Sequence, residues 1–347
     1  MPTARSPRPA IVVLALATVY LVWGSTYLGI RIAIETLPPL LMSGVRFVTA
    51  GALLYAFSIR RGDRDGDRPG RAQWLAAAVV GGALLLGGNG GVAWGEQYLP
   101  SGLAALLIAT VPLWMVLFAR LLLGDRLAWP ARIGIVVGFA GLVLLLAPGG
   151  GSAGTARPWA TAVVLAGAAC WGWGSVHARR AALPSRPLVS TAMQMLAGGA
   201  LQLVAGAATG ELGRVHLGRA SAASLLAVAY LVLFGSLAAF TAYTWLLRNV
   251  PTALASTYAY VNPVVAVALG WAVLGEPVSA RSLLAGAVIL AGVALILTSG
   301  REAGRSAGRG RAGTGVVGVA VRADDRLQPG AAGRGPGPGG GHGAGRA

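Results

Sequence analysis

Nine stretches of this chain run for at least 19 residues without an Asp, Glu or Arg: 10–30, 72–95, 99–119, 133–156, 158–176, 187–210, 220–247, 249–275 and 282–300. A tenth, 39–59, is equally apolar and holds one charge, Arg46. An α-helix rises about 1.5 Å per residue, so about 20 residues cross a hydrocarbon core about 30 Å thick. Helices with no polar face have nothing to turn toward water and must lie in lipid. Only 11% of the residues are charged, against about a quarter in a soluble domain, and the charges fall between the runs. The chain therefore reads as an all-α integral membrane protein, with ten transmembrane helices filling most of residues 10–300 and almost no soluble body.

The ten spans repeat. At an offset of 151 residues Pro100 matches Pro251, Leu103-Ala104 match Leu254-Ala255, and Pro112 matches Pro263. Leu123-Gly124-Asp125 match Leu274-Gly275-Glu276, and Ala140-Gly141 match Ala291-Gly292. At an offset of 150, Trp23-Gly24-Ser25 match Trp173-Gly174-Ser175. Leu, Ala and Val coincide by chance in such a sequence, but Pro, Gly, Trp and acidic residues in one register do not do so easily. Two five-helix units follow, at 11–147 and 159–298. Five is odd, so the second unit enters the membrane inverted relative to the first. Inverted repeats around a midplane site are the architecture of many secondary transporters; an old duplication kept for stability alone is the competing account.

All 28 basic residues are Arg, and the net charge is +17. With residues 1–9 placed in the cytoplasm and the loops alternated, 14 Arg fall on the cytoplasmic side and Arg31, Arg157, Arg214, Arg219 and Arg281 on the other. This asymmetry orients membrane proteins and predicts both termini in the cytoplasm. It comes mainly from the first half. Residues 301–347 are rich in Gly, Arg, Ala and Pro; they predict a disordered tail whose eight Arg either touch anionic lipid or are simply solvated.

Several functions are disfavoured by the same reading. Ala10–Ile30 is too long for the apolar region of a cleavable signal. Cys170 is alone, so no intramolecular disulfide forms. His177, His216 and His342 are scattered without metal-ligand spacing, so no metal and no cofactor is expected. There is no GxxxxGK[ST] and no Lys, which removes ATP hydrolysis by that route. The Arg are distributed as membrane flanks rather than as a nucleic-acid patch. The expected partners are a small-molecule substrate and membrane lipid, without nucleic acid, in a monomer or homodimer.

The residues that stand out inside the spans are polar, aromatic or kinking. A charge such as Arg46 near the membrane centre costs about 2.5–3.5 kcal/mol on insertion scales; it is either a cavity cation that attracts a carboxylate or an Arg paired with helix-end carbonyls or Glu35. Asn89 sits among consecutive glycines, where backbones or a ligand approach closely. Glu96 and Gln97 end the third helix, placed either to gate or couple protons or simply to be solvated. Asp125 and Glu276 occupy repeat-equivalent turns as loop residues or caps. Tyr258 and Asn262 share a face of the ninth helix, with Tyr260 between them. Pro112 and Pro263 each remove a backbone hydrogen bond and favour a kink where carbonyls can face a cavity, which points to helices four and nine as cavity walls. Trp23 and Trp173 stack on substrate or pack. Ser25, Trp94, Thr110 and Tyr243 complete the candidate pathway. No Asp or Glu lies mid-span.

The motifs resemble the EamA family of the drug/metabolite transporter superfamily. They are Trp23-Gly24-Ser25-Thr26-Tyr27, Pro38-Pro39, Gly44-Val45-Arg46-Phe47, Glu96-Gln97-Tyr98-Leu99-Pro100-Ser101-Gly102, Thr110-Val111-Pro112, Tyr258-Ala259-Tyr260-Val261-Asn262-Pro263 and Leu274-Gly275-Glu276. The likeness covers about residues 11–298 and is strongest to bacterial inner-membrane exporters. It implies ten helices, cytoplasmic termini, a central cavity between the repeats, no enzymatic activity, and export of small metabolites (amino acids or related compounds) or drugs. The small four-helix exchangers of that superfamily use an intramembrane Glu, which this chain lacks. A sugar-phosphate or nucleotide-sugar carrier of the same superfamily is the alternative within transport, and a non-transporting scaffold or receptor the alternative outside it.

Overall fold

The computed structural model describes residues 8–60, 69–124, 129–147, 157–250, 254 and 257–311. All its described regular elements are helical. Eight helices are long and apolar enough to cross a membrane: α1 Pro9–Ala33, α2 Pro39–Arg60, α3 Arg71–Gly95, α4 Ser101–Leu123, α5 Trp129–Leu146, α6 Pro158–His177, α7 Pro187–Ala208 and α8 Ala222–Leu246. Two shorter apolar helices follow, α9 Tyr258–Leu274 and α10, apolar over Ala280–Ile296. Among the described residues, eight of the ten expected spans are thus long helices and two are shorter ones. Helix α10 continues to Arg311, past Gly300, where disorder is expected: Arg, Glu and Ala dilute the Gly there, and each further residue adds a helical hydrogen bond. Asp125 and residues 312–347 lie outside the described residues. Residues 1–304 form one unit and 305–347 another.

The distribution of side chains is inverted relative to a water-soluble protein. Leu14, Leu75, Val136 and Leu226 are 68–71% exposed, whereas Arg46, Glu96, Gln202 and Glu211 are at most 2% exposed. In lipid the apolar surface costs nothing, and the polar groups turn inward to find one another.

Helix starts and stops follow from local chemistry. Pro stands in the first turn of α1, α6 and α7, where its missing N–H is no loss. Helices α4 and α9 both end on a left-handed glycine, Gly124 (φ 71°) and Gly275 (φ 63°), which are repeat-equivalent. Two carboxylates cap helices far away in sequence. Glu211, after α7, accepts hydrogen bonds from Leu40 N and Leu41 N of α2, each at 3.0 Å. Glu276, after α9, accepts from Ser101 N at 2.7 Å, Ser101 Oγ at 2.9 Å and Gly102 N at 3.0 Å. Both satisfy orphan N–H groups at the positive end of a helix. Glu276 is therefore a cap, for a helix 175 residues away rather than its own.

Close helix pairs meet through small residues, and the contacts recur in reciprocal form. A Cβ on Gly141 of α5 would lie 3.1 Å from Ala285 O of α10, and one on Gly292 of α10 would lie 2.6 Å from Gly134 O of α5. Adding 151 to Gly141 and subtracting it from Ala285 turns the first contact into the second. Likewise a Cβ on Gly51 would lie 3.0 Å from Ala192 O, and one on Gly199 3.1 Å from Gly44 O, an exchange at an offset of 148. Helices α3 and α8 each carry a π-helical stretch at corresponding places, Gly82–Gly90 and Leu231–Ala238.

Candidate functional site

Helix α4 breaks in its middle: Ser101–Ile108 and Val111–Phe118 are separate α-helical pieces. Pro112 lies in the first turn of the second piece, and Thr110 at the break donates to Leu107 O at 2.6 Å. In α9, Pro263 lies inside the helix and leaves the Ala259 carbonyl without its helical donor. The π-helical stretch of α3 presents Asn89. π-Turns of this kind rotate side chains off the helical register and recur at functional sites.

These irregularities surround one cavity of about 210 Å³. Its walls come from α1 (Trp23, Thr26, Tyr27, Ile30), α2 (Arg46), α3 (Gly88, Asn89, Val92), both pieces of α4 (Ala105, Ile108, Ala109, Val111, Pro112, Met115), α6 (Trp171), α8 (Phe240, Tyr243) and α9 (Tyr258, Ala259, Asn262, Pro263). The larger hollow, about 560 Å³, is an apolar groove along α4, α9 and α10 whose lining includes the exposed Val264, Trp271 and Leu283. It has the character of a lipid-facing surface, and its one carboxylate, Glu276, is occupied in capping α4.

Aromatic rings set one side of the cavity. Trp23 stands 5.1 Å from each of Phe240, Tyr243 and Tyr258, and its indole N–H donates to Gly235 O at 3.2 Å. The Asn262 amide, oriented to donate, meets the carbonyls of Tyr20 and Tyr258 at 3.2 Å. Arg46 is 2% exposed; its Nε donates to Ser236 Oγ at 2.9 Å, and its guanidinium carbon lies 4.5 Å from the Phe47 ring centre. Its partner is thus a serine of α8, neither Glu35 nor a helix-end carbonyl. Among the described residues lining the cavity, Arg46 is the only charged one.

Eight of the sequence candidates meet here: Trp23, Arg46, Asn89, Tyr243, Tyr258, Asn262, Pro112 and Pro263. The others lie elsewhere. Ser25 bonds Leu21 O and the Tyr230 hydroxyl. Trp94 packs with Tyr98 and Trp159, ring centres 5.9 and 5.0 Å away, beside Arg157, a grouping suited to a membrane interface. Gln97 donates to Trp94 O at 3.0 Å and accepts from Arg214 at 3.3 Å. Thr110 is spent on Leu107 O, and the Tyr260 hydroxyl donates to Val293 O at 3.2 Å. Glu96 is fully buried just past α3. Arg31 donates to its backbone carbonyl, and both carboxylate oxygens lack a hydrogen-bond partner. Burial pushes the Glu96 carboxyl well above the usual carboxylate range; Glu276 adds to the rise and Arg31 opposes it.

Trp173 is replaced in the cavity by Trp171. Trp173 stacks on His177 at 4.8 Å instead. Within Trp171-Gly172-Trp173-Gly174-Ser175 two alignments with Trp23-Gly24 are possible, and the offset of 148 that relates α2 to α7 selects Trp171. A Cβ on Gly24 would press on Val265 of α9, and one on Gly172 on Trp114 of α4; Trp114 and Val265 are 151 apart, so these contacts too are images of each other. Reading the match at 150 rather than 148 hid the second cavity tryptophan. Thr26, Tyr27, Met115 and Phe240 were also missed, and only helical spacing from Trp23 and Tyr243 offered a signal for them.

The EamA-like transporter family matches residues 10–147 and 158–298. Over 285 residues the chain is 44% identical to the uncharacterized inner membrane transporter YedA of Escherichia coli strain K12, covering 81% of this chain and 89% of that protein. Over 283 residues it is 28% identical to a Streptantibioticus cattleyicolor protein named "Probable terminal-alkyne amino-acid exporter", covering 81% and 92%. A solved crystal structure, 24% identical, covers 85% of this chain and 99% of that one with a TM-score of 0.58, a likeness of fold. The family and the YedA relative are named for transport, not catalysis. A cavity walled by helices from both matched segments is what a carrier needs, and the chain belongs to the EamA-like transporter family.

Proposed function

We propose that this chain is a secondary transporter of a bacterial inner membrane that exports a small metabolite, an amino acid or related compound, through the cavity between two inverted five-helix repeats. The cavity carries the reading: it lies among α1–α4, α6, α8 and α9, and it mixes aromatic and apolar walls with a few polar groups. At about 210 Å³ it is smaller than the roughly 300–1,000 Å³ typical of drug-sized ligands, which favours a compact solute. The reciprocal contacts of α5 with α10 and of α2 with α7 support the repeats at 11–147 and 159–298 and their inversion. The Arg asymmetry supports cytoplasmic termini. A dianionic sugar phosphate calls for several cations, and among the described residues lining the cavity Arg46 is the only one.

Efflux from proteoliposomes tests this. The full-length protein is screened against amino acids, their analogues, sugar phosphates and toxic cations, with and without a proton uncoupler. Selective flux of a compact metabolite is the expected result. Correctly inserted protein that carries nothing selectively would sink the reading.

A further inference from the structure

Arg46 poses a chemical question that the helical scaffold does not answer. Its charge is buried, its Nε is fixed by Ser236 Oγ at 2.9 Å, and its Nη1 is buried without a hydrogen-bond partner. Buried donors without partners are rare in folded proteins and call for an explanation. A guanidinium is a rigid fork, and with Nε taken by the serine, the end-on pair Nη1 and Nη2 remains, the pair that matches the two oxygens of a carboxylate. No Asp or Glu is among the described residues lining the cavity, so no protein carboxylate there balances the charge of Arg46.

We propose that Arg46, oriented by Ser236, is the carboxylate-binding residue of this cavity, so that the substrate is a compact amphipathic monocarboxylate, with its non-polar part against Trp23 and Trp171. This deepens the transport reading and rests on it. Charge balance sets the class. A monocarboxylate neutralises Arg46. A dianion would leave a net negative charge in a low-dielectric site, and a simple cation would add a second positive one. Size agrees: a cavity of about 210 Å³ is below the roughly 300–1,000 Å³ of sites for drug-sized ligands, which suits a carboxylate on a short chain or a single ring.

The test uses purified full-length protein and matched probes that lack an amine and differ only at the carboxylate: 4-methylpentanoate, hexanoate and 3-phenylpropanoate, which are monoanions, against their neutral primary amides. Binding is read as ligand-dependent thermal stabilisation, and flux by counterflow in proteoliposomes. At least one acid binds and is carried, and its amide is not. Arg46→Gln lowers acid affinity by about 10- to 100-fold and abolishes the acid-over-amide preference. Arg46→Lys restores part of it, because a point charge replaces the fork. Ser236→Ala keeps the charge but frees its orientation; it weakens acid binding severalfold and leaves the preference, so the proposal is still tested if Arg46→Gln does not fold. Amides bound as well as acids, or an acid preference that survives in folded Arg46→Gln, would overturn the proposal. Selective flux confined to compounds without a carboxylate would overturn it while leaving the transport reading intact. No binding or flux of any probe in the wider screen would remove both.

Discussion

The packing of α5 on α10 offers a stability test with a magnitude set by distances. A Cβ on Gly292 would sit 2.5 Å from Gly138 N, 2.6 Å from Gly134 O and 2.7 Å from Gly138 Cα. Ordinary contact begins at 3.4 Å, so the closest approach is 0.9 Å short. All three obstacles are backbone, and no side chain can swing aside. Gly292→Ala must therefore push the helices apart. An opening of about 0.5–1 Å forfeits a quarter to a half of each dispersion contact along the seam. In lipid, packing of this kind is a main force holding helices together, because apolar burial gains little there. We expect a loss of about 1–3 kcal/mol, measured by reversible SDS unfolding in mixed micelles. Gly141→Ala, its image, meets Ile289 N at 2.8 Å and the Ile289 Cγ1 at 2.9 Å, and is expected to cost less because one obstacle is a side chain. Gly213→Ala, with nothing within 4 Å, is the control and stays within about 0.5 kcal/mol. Gly292→Ala as stable as the control would refute the close seam between α5 and α10, and with it the reciprocity on which the inverted repeat leans.

Two further perturbations separate neighbouring roles. Trp171→Phe is expected to change flux and substrate preference in proteoliposomes, whereas Trp173→Phe, at a residue that stacks on His177 outside the cavity lining, leaves both alone; equal effects would argue against the 148-residue register. For Glu96 the buried carboxyl favours its protonated form, so its contribution to stability is fully present below the ordinary carboxylate range and is lost as pH rises through its raised value. Glu96→Gln is therefore expected to match wild type at acid pH and to melt higher at alkaline pH; parallel pH profiles of melting temperature would show that Glu96 is not buried as a strained charge.

The helices were legible because lipid demands a property that hydropathy displays directly: long runs with no charge. The repeat was legible where it was written in Pro, Gly and acidic residues. What stayed hidden was set by partners far along the chain. Nothing near Arg46 points to Ser236, 190 residues away, and nothing near Leu40 points to the Glu211 that caps it from a distance of 171 residues. The π-helical stretches Gly82–Gly90 and Leu231–Ala238 are shifts in backbone hydrogen-bond register, which an average over hydrophobicity does not record. Gly87-Gly88-Asn89 drew attention in the first; Leu231–Ala238 carries no comparable local mark. Of the site, the singular residues were legible and the packing around them was not. Trp173 and Tyr260 had the right residue type on the wrong side of a helix.

The cavity departs from the symmetry of its scaffold at its one charge, and that departure can be tested. The image of Arg46 at the α2–α7 offset is Gln194, whose amide donates to Ser190 Oγ at 3.0 Å on its own helix. The image of Ser236 is Gly87 or Gly88, depending on whether α3 and α8 are aligned at 149 or 148 residues, and neither glycine has a hydroxyl. Moving the charge from one repeat to the other in the double variant Arg46→Gln with Gln194→Arg preserves composition and net charge but gives the new guanidinium no serine to fix its Nε. A charge near the bilayer centre costs about 2.5–3.5 kcal/mol on insertion scales, and here it is left without the one hydrogen bond that orients it. The double variant is expected to reach the membrane at reduced abundance and, per inserted molecule, to carry solute no better than Arg46→Gln alone, measured by efflux normalised to folded protein. Wild-type flux in the exchanged variant would show that the cavity reads only total charge, and that the repeats remain interchangeable at the site itself.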